Sequence, residues 1–492
     1  MNVVARQTFK STVYIYAGVG IGFVSNALLM PQYLTPDQIG AIGLLVSYSM
    51  ILSSLGALGF QNTIIKFFPY FRDPERKHHG FLVLTLGITL AGAVLAVILF
   101  LILKPVMVNS NAQDSPLFVT YINYIIPLIF FQLLFGNLDY YNRALYNAST
   151  GTFLKEFFQR LLIIIALVPL IYQWYTYREF VRAYVAAFGV IACLIIIYLL
   201  VNQSFLLRWP DFRSINQKVW KSMTSLSLFG LLNGMSSLII TRIDSVMLNE
   251  YYSTYETGIY VTLMYFGTIV IMPSRALRGI APTVIGQAFK ENNLPEIATV
   301  HRESAVNQYL IGSLLVVGLW VNINNIFFIL PAAYETGKYV VLFIGLMNLV
   351  KMGSGLSEYI INYSRYYKYR TGLTLFLVVL IILSNYLLIP VYGISGAAFA
   401  SLLSIFINRL VYFILVKRFF NINPIGYRHL LITGIALFSY GAGWFVPQIR
   451  PFFLDILARS ALVGAIFISL TYLTHVSPDL NRFIHQIFKK MK

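Results

Sequence analysis

A chain of 492 residues that is 58% hydrophobic and only 11% charged, with a mean hydropathy of +0.73, cannot clothe itself in a water-compatible surface, which excludes a set of soluble globular domains. The net charge of +18, from 36 Lys plus Arg against 18 Asp plus Glu, is spread over short segments between apolar runs. That distribution suits cytoplasmic loops and anionic lipid headgroups, not nucleic acid.

Taken in chain order, the N-terminal MNVVARQTFK is short and basic. The apolar stretch after it has no clear cleavage site, so it reads as a retained first helix. A spanning helix needs about 20 mostly apolar residues. Such windows fall at 11–30, 39–60, 80–103, 118–138, 154–173, 181–205, 222–248, 256–274, 303–328, 338–360, 371–390, 394–416, 430–447 and 456–474. The apolar residues run on without alternating, which excludes a β-barrel. Gly18, Gly20 and Gly22 lie inside the first window with no strand before them, so they read as helix packing, not a dinucleotide loop. Cys193 sits in an apolar run, reads as buried filler, and has no second cysteine to pair with.

The positive-inside rule tests this count. With the N-terminus in the cytoplasm, the inside segments hold 26 of the 36 basic residues and the outside loops hold 6. A missing or extra helix would scramble the asymmetry downstream, and none is scrambled. The expectation is an all-α polytopic membrane protein of about fourteen transmembrane helices with both termini cytoplasmic. All the outside loops are short, leaving no room for a folded external domain.

Sliding the chain by 218 residues aligns MPQYLTPDQIGAIGLLVSY (30–48) with LNEYYSTYETGIYVTLMYF (248–266), so that Tyr33 meets Tyr251 and Gly40 meets Gly258. The same shift lays FGNLDYYN (135–142) on GSGLSEYI (353–360). A shift of six helices makes a parallel repeat. It predicts two pseudo-symmetric six-helix bundles, 1–207 and 222–418, joined by a basic linker, 208–221. Two extra C-terminal helices and a cytoplasmic tail occupy 419–492.

A charge inside a spanning helix is costly, so each one needs a reason. Lys351 and Glu358 are seven apart in one window, nearly two turns, which predicts a shared polar face toward a cavity. Arg409 lies too deep for full snorkelling. It is either a cavity-facing cation or half of a structural pair with another helix. Arg242 and Asp244 point about 200° apart and cannot pair side by side. The 218 shift places Asp244 on Asn26, a couple that would suit a proton or cation, with a helix-end structural contact as the other reading. Glu156 with Arg160, and Asp139 with Arg143, have the i,i+4 spacing of ordinary ion pairs. No P-loop is present, and His78 and His79 are adjacent without metal-ligand spacing, so neither a cofactor nor a metal is expected.

Three stretches carry a resemblance: GALGFQNTIIKFFPYF (56–71), ITRIDSVMLNEYYSTYETGIY (240–260) and SNYLLIPVYGISGAAFASLLS (384–404). Each resembles segments of polysaccharide-biosynthesis membrane proteins, including O-antigen flippases, within the wider MATE-like exporter superfamily. The resemblance implies a flippase, not an enzyme, that moves an undecaprenyl-diphosphate-linked oligosaccharide across a bacterial inner membrane by alternating access. Carried onto this chain, the substrate-binding residues would be Arg242, Lys351, Arg409 and Glu358, and the coupling-ion residues Asp244 and Asn26. The expected partners are the lipid-linked anionic oligosaccharide and membrane lipids. The chain would work as a monomer, beside a polysaccharide polymerase or glycosyltransferases. Relatives that flip the peptidoglycan precursor tend to have an Arg in the first helix. The first helix here is uncharged, which weighs against that substrate. The other readings are a small-molecule exporter of the same superfamily and a membrane glycan polymerase or ligase, which usually displays a long outside loop.

Overall fold

The structure, a computed structural model, describes residues 3–210 and 217–491. Residues 211–216 of the predicted linker, Arg213 among them, lie outside the described residues. Every regular element among the described residues is helical, and each of the fourteen predicted windows falls on helix. Among the described residues, nine helical stretches, or ten with one bent pair, are long and apolar enough to cross a membrane, with Lys368–Phe420, which doubles back on itself, counted once. The remaining windows are shorter or interrupted. The chain is a multi-pass membrane protein. Lys77–Asn111 turns Leu90, Val94, Ile98, Leu101 and Ile102 outward, an apolar surface that only lipid covers well. Cys193 is exposed on the face of Tyr177–Val201 and is not the buried filler expected. A residue inside a membrane helix has lipid as a second apolar environment, so an apolar run does not by itself imply burial in protein.

Compactness divides the chain into Met1–Val261 and Thr262–Lys492. In the first unit, the sequence TPDQ starts Pro36–Gly56 as its chemistry requires. Pro36 opens the helix, the Gln38 N–H donates to Thr35 Oγ1 (3.4 Å), and the Thr35 N–H donates to Gln38 Oε1 (3.0 Å). Leu44, Phe100, Ile125, Ile129, Leu167 and Phe180 form one apolar core, and Ile64, Phe68, Phe81, Leu138, Tyr141 and Leu199 another. Gln217–Tyr251 packs in this unit against Pro36–Gly56 and Phe60–Phe71. Compactness therefore groups the seventh predicted span with the first six. The bundle boundaries 1–207 and 222–418 rest on internal repetition and stay a proposal.

The 218-residue shift has a geometric counterpart inside the first unit. A Cβ on Gly40 would lie 1.9 Å from the Thr254 carbonyl oxygen, and one on Gly258 would lie 1.9 Å from the Pro36 carbonyl oxygen. Residues 36 and 40 shifted by 218 are 254 and 258, so the contact is reciprocal. The backbones touch because neither glycine has a side chain. Polar bonds flank the contact: Thr254 Oγ1 donates to Asp37 Oδ1 (2.9 Å), the Thr254 N–H to Ser115 Oγ (3.0 Å), and Ser115 Oγ to Asn249 Oδ1 (2.8 Å). Gly18 and Gly22, on one face of the first helix, pack against Glu156 and Arg160, while Gly20 faces open space.

In the second unit, Lys368–Phe420 is two helices and not one. Gly393 has φ 57° and ψ −136°, a conformation essentially confined to glycine. The chain doubles back there: Ser384 Oγ and Ser404 Oγ are 2.8 Å apart, and Asn408 Nδ2 donates to Leu373 O (3.0 Å). Tyr427–Trp444 and Phe452–Leu473 dock on Leu294–Val321 through Val306, Ile432, Val463 and Phe467. Asp455 ties their ends, accepting from Arg459 Nε (2.6 Å), Asn325 Nδ2 (2.6 Å) and the Ile449 N–H (2.9 Å).

The predicted helix over 338–360 is broken. Ala332–Gly353 and Ser357–Tyr363 meet at 48°, with Gly355 at φ +57° between them. The fully buried ring of His301 holds the break: Nδ1 accepts the Leu356 N–H (3.0 Å), which leaves Nε2 as the donor toward Ser357 Oγ (3.3 Å). His301→Phe keeps the bulk and orphans that buried N–H, so it should lower stability by about 1–3 kcal/mol. A thermal melt of the purified variant that matches wild type would show that the ring does not hold the joint.

Candidate functional site

The first unit holds an open cavity of about 370 Å³ between Pro36–Gly56, Phe60–Phe71, Pro116–Ala144, Phe153–Phe158, Gln159–Ile171, Tyr177–Val201 and Gln217–Tyr251. Its polar wall carries Ser53, Gln61, Gln132, Asp139, Lys155 and Gln159. Gln132 is committed to its neighbours: Nε2 donates to Ser49 Oγ (2.9 Å) and Oε1 accepts from Ser53 Oγ (3.1 Å). Asp139 is 5% exposed. Its Oδ2 is bridged by Arg143 at 2.8 Å, as the i,i+4 spacing predicts. Its Oδ1 is buried with no hydrogen-bond partner among the described residues. That oxygen packs against the backbone of Gly151, where a Cβ would lie 1.6 Å from it, and so does not open onto the cavity. Phe131, Phe135 and Phe188 supply the apolar side of the lining.

The second unit gathers cations around one carboxylate. Arg409 Nη1 lies 3.1 Å from Glu358 Oε2, with side-chain exposures of 17% and 40%. Arg278 and Arg370 also act electrostatically on Glu358. Arg370 Nη1 donates to Asn362 Oδ1 (3.0 Å), and the Arg409 guanidinium sits 5.5 Å from the Tyr412 ring centroid. Arg409 Nε is buried and has no partner among the described residues. Three guanidiniums against one carboxylate leave an excess of positive charge, which is where an anionic ligand gains most.

Of the residues singled out from the sequence, the structure joins Arg409 to Glu358. The pair bridges two helices, as one of the two readings of Arg409 required. The shared helical face of Lys351 and Glu358 is overturned. Lys351 is in the last turn of Lys338–Gly353, and the helix break at Ser354–Leu356 separates it from Glu358. Two turns of continuous helix, the premise of that reading, do not exist there. Asp244 is buried and accepts from Tyr260 Oη (2.9 Å). Asn26 donates within its own helix, to Gly22 O (2.8 Å) and Ser25 Oγ (2.9 Å). Arg242 is half-buried and makes no ion pair among the described residues. Among those residues no group of three or more His, Cys, Asp or Glu is placed to hold a metal ion. Sequence reasoning missed the amide wall of the cavity. Gln132 lies inside an apolar run and Gln159 beside the Glu156–Arg160 pair, and a search for uncharged polar groups in the predicted spans, as well as charged ones, would have found them.

Comparison with known proteins bears on this geometry. A family profile described as "Polysaccharide biosynthesis protein" matches residues 4–285, more than half of the chain. No curated protein matches the chain. Among solved structures, one described as the Lipid II flippase MurJ in an inward closed conformation superposes with a TM-score of 0.70 at 13% identity, over 96% of this chain and 99% of that one. An inward-facing multidrug resistance MATE family transporter of the MOP superfamily gives a TM-score of 0.62 at 14% identity, over 83% and 94%. An outward-facing one gives 0.51 at 14% identity, over 85% and 95%. At these identities the likeness is one of fold.

Proposed function

Because the chain belongs to the polysaccharide biosynthesis protein family, we propose that it is a flippase that carries an undecaprenyl-diphosphate-linked oligosaccharide from the inner to the outer leaflet of a bacterial inner membrane. It would work by alternating access. The observation that carries this reading is the surplus of guanidinium around Glu358. Arg278, Arg370 and Arg409 together exceed the one carboxylate they share, and a diphosphate supplies the missing negative charge. A diphosphate cannot cross hydrocarbon unaided, whereas a polyprenyl tail never has to leave it. In the second unit, Arg409 and Lys351 are assigned to the phosphates and Glu358 to the place that the phosphates take; Arg242, in the first unit, is assigned by itself to the anionic substrate. Asp244, held by Tyr260, is assigned with Asn26 to a coupling proton or cation. An inside-negative potential drives negative charge outward by about 2.3 kcal/mol per charge per 100 mV, so export needs no ATP.

The test is reconstitution. In proteoliposomes loaded with a fluorescent polyprenyl-diphosphate oligosaccharide, an inside-negative potential should accelerate export. Lys351→Ala should slow it roughly tenfold, the loss of one charge-assisted hydrogen bond. Export at the wild-type rate by Lys351→Ala would remove Lys351 from the site. Absence of export by the wild-type protein under potential would remove the flippase reading itself.

A further inference from the structure

We propose that the cavity of the first unit is a carbohydrate pocket that holds one neutral sugar ring of the glycan, separate from the cations that hold phosphate. This rests on the flippase reading and adds a division of labour to it. The cavity wall leaves hydrogen-bonding capacity uncommitted. The side chains of Ser54, Gln61, Gln159 and Ser237 line the cavity and make no hydrogen bond among the described residues. The set offers donors and acceptors together, at separate points around one space. Sugar hydroxyls, which donate and accept at once, are the complement of such a wall.

Charge narrows the ligand further. The lining carries one carboxylate, Asp139, and one cation, Lys155, so it has neither the cation excess that a phosphate needs nor the carboxylate excess that a bare cation needs. What remains is neutral and polyhydroxylated, with C–H faces for Phe131, Phe135 and Phe188 to cover. The volume, about 370 Å³, falls within the range of small-molecule sites. Glycine keeps the space open: a Cβ on Gly136 would come within 2.9 Å of Gln61 Nε2, and one on Gly234 within 3.4 Å of Ser54 Oγ.

The test is saturation-transfer NMR on the full-length protein in lipid nanodiscs. The probes are methyl pyranosides of glucose, galactose, rhamnose and N-acetylglucosamine, with pyrophosphate as competitor. At least one pyranoside should receive saturation from the wild-type protein. The signal should fall severalfold in Gln61→Ala and in Gln159→Ala, and to the empty-nanodisc level in Gly234→Phe. Cys193→Ser, on the lipid-exposed surface, should leave it unchanged. Thermal melts of each variant separate lost binding from lost folding, and the two alanine variants decide the matter if Gly234→Phe does not fold. Failure of all four pyranosides, a signal indifferent to both glutamine substitutions, or displacement by pyrophosphate would each overturn the pocket. The same preparations, assayed for export, keep the two readings apart. Export without pyranoside binding defeats the pocket alone, and pyranoside binding without export defeats the flippase reading alone.

Discussion

Gly40→Ala is expected to lower the stability of the protein by about 1–3 kcal/mol, the usual cost of forcing an extra methyl into a packed interior. Gly40→Val should prevent the protein from accumulating. Real Cβ atoms essentially never approach a heavy atom closer than 3.0 Å, yet a Cβ on Gly40 would sit 1.9 Å from the Thr254 carbonyl oxygen. The obstacle is backbone, so no rotamer change relieves it, and Pro36–Gly56 must move off Thr254–Thr268 by more than about 1 Å. That movement strains the Asp37–Thr254 and Ser115–Asn249 hydrogen bonds beside the contact. The reciprocal geometry sharpens the prediction. One separation of the two helices relieves the clash at Gly40 and the clash at Gly258 together. Gly40→Ala with Gly258→Ala should therefore cost much less than the two single changes added. Gly20→Ala is the control: open space surrounds it, and alanine favours helix by about 1 kcal/mol over glycine. Thermal midpoints of the four purified variants measure all of this. Strict additivity of the two single costs would show that the glycines do not share one contact.

That contact also shows what kinds of information a sequence exposes. A shift of 218 residues that superposes Gly40 on Gly258 is visible because Gly40 follows Asp37 by three residues and Gly258 follows Glu256 by two, each at the start of an apolar run. The apolar windows were legible for a similar reason: burial in lipid or protein demands about 20 consecutive apolar residues, whatever the tertiary partner. The turn at Gly393 was legible from the gap between the windows 371–390 and 394–416. The break at Gly355 was not, since its cause is a ring more than fifty positions away. His301 captures the Leu356 N–H, and no local pattern around 351–358 announces that donor's partner. The cavity was hidden for a related reason. Spacing identifies the Asp139–Arg143 pair and stops there, because an i,i+4 rule counts residues, whereas a carboxylate has two oxygens. One is bridged and the other is not. Gln61, Gln132 and Gln159 come from three separate helices, so their convergence exists only once the bundle is packed.

Changing the two partners of the Arg409–Glu358 pair should shift ligand binding in opposite directions. Glu358 is the single carboxylate among Arg278, Arg370 and Arg409, and in the reading argued above it occupies the place the diphosphate takes. Glu358→Gln removes the internal competitor, so pyrophosphate should bind more tightly, while the three guanidiniums are left to repel one another in the empty protein. The stability cost should be only about 1 kcal/mol, because a carboxylate that is 40% exposed is partly screened by solvent. Arg409→Ala removes a donor of planar, bidentate geometry. Pyrophosphate affinity and export per folded protein should both fall by roughly tenfold or more. Arg409→Lys restores the charge without the fork, and should recover only part of the loss. Calorimetric titration of pyrophosphate into the protein in nanodiscs, paired with the proteoliposome export assay, reads both effects. A merely structural bridge behaves otherwise. Either substitution then lowers the thermal midpoint by a similar amount, and neither changes pyrophosphate affinity once corrected for folded protein. Equal, same-signed effects of Glu358→Gln and Arg409→Ala on pyrophosphate binding would therefore remove the pair from the phosphate site and leave it as a joint between two helices.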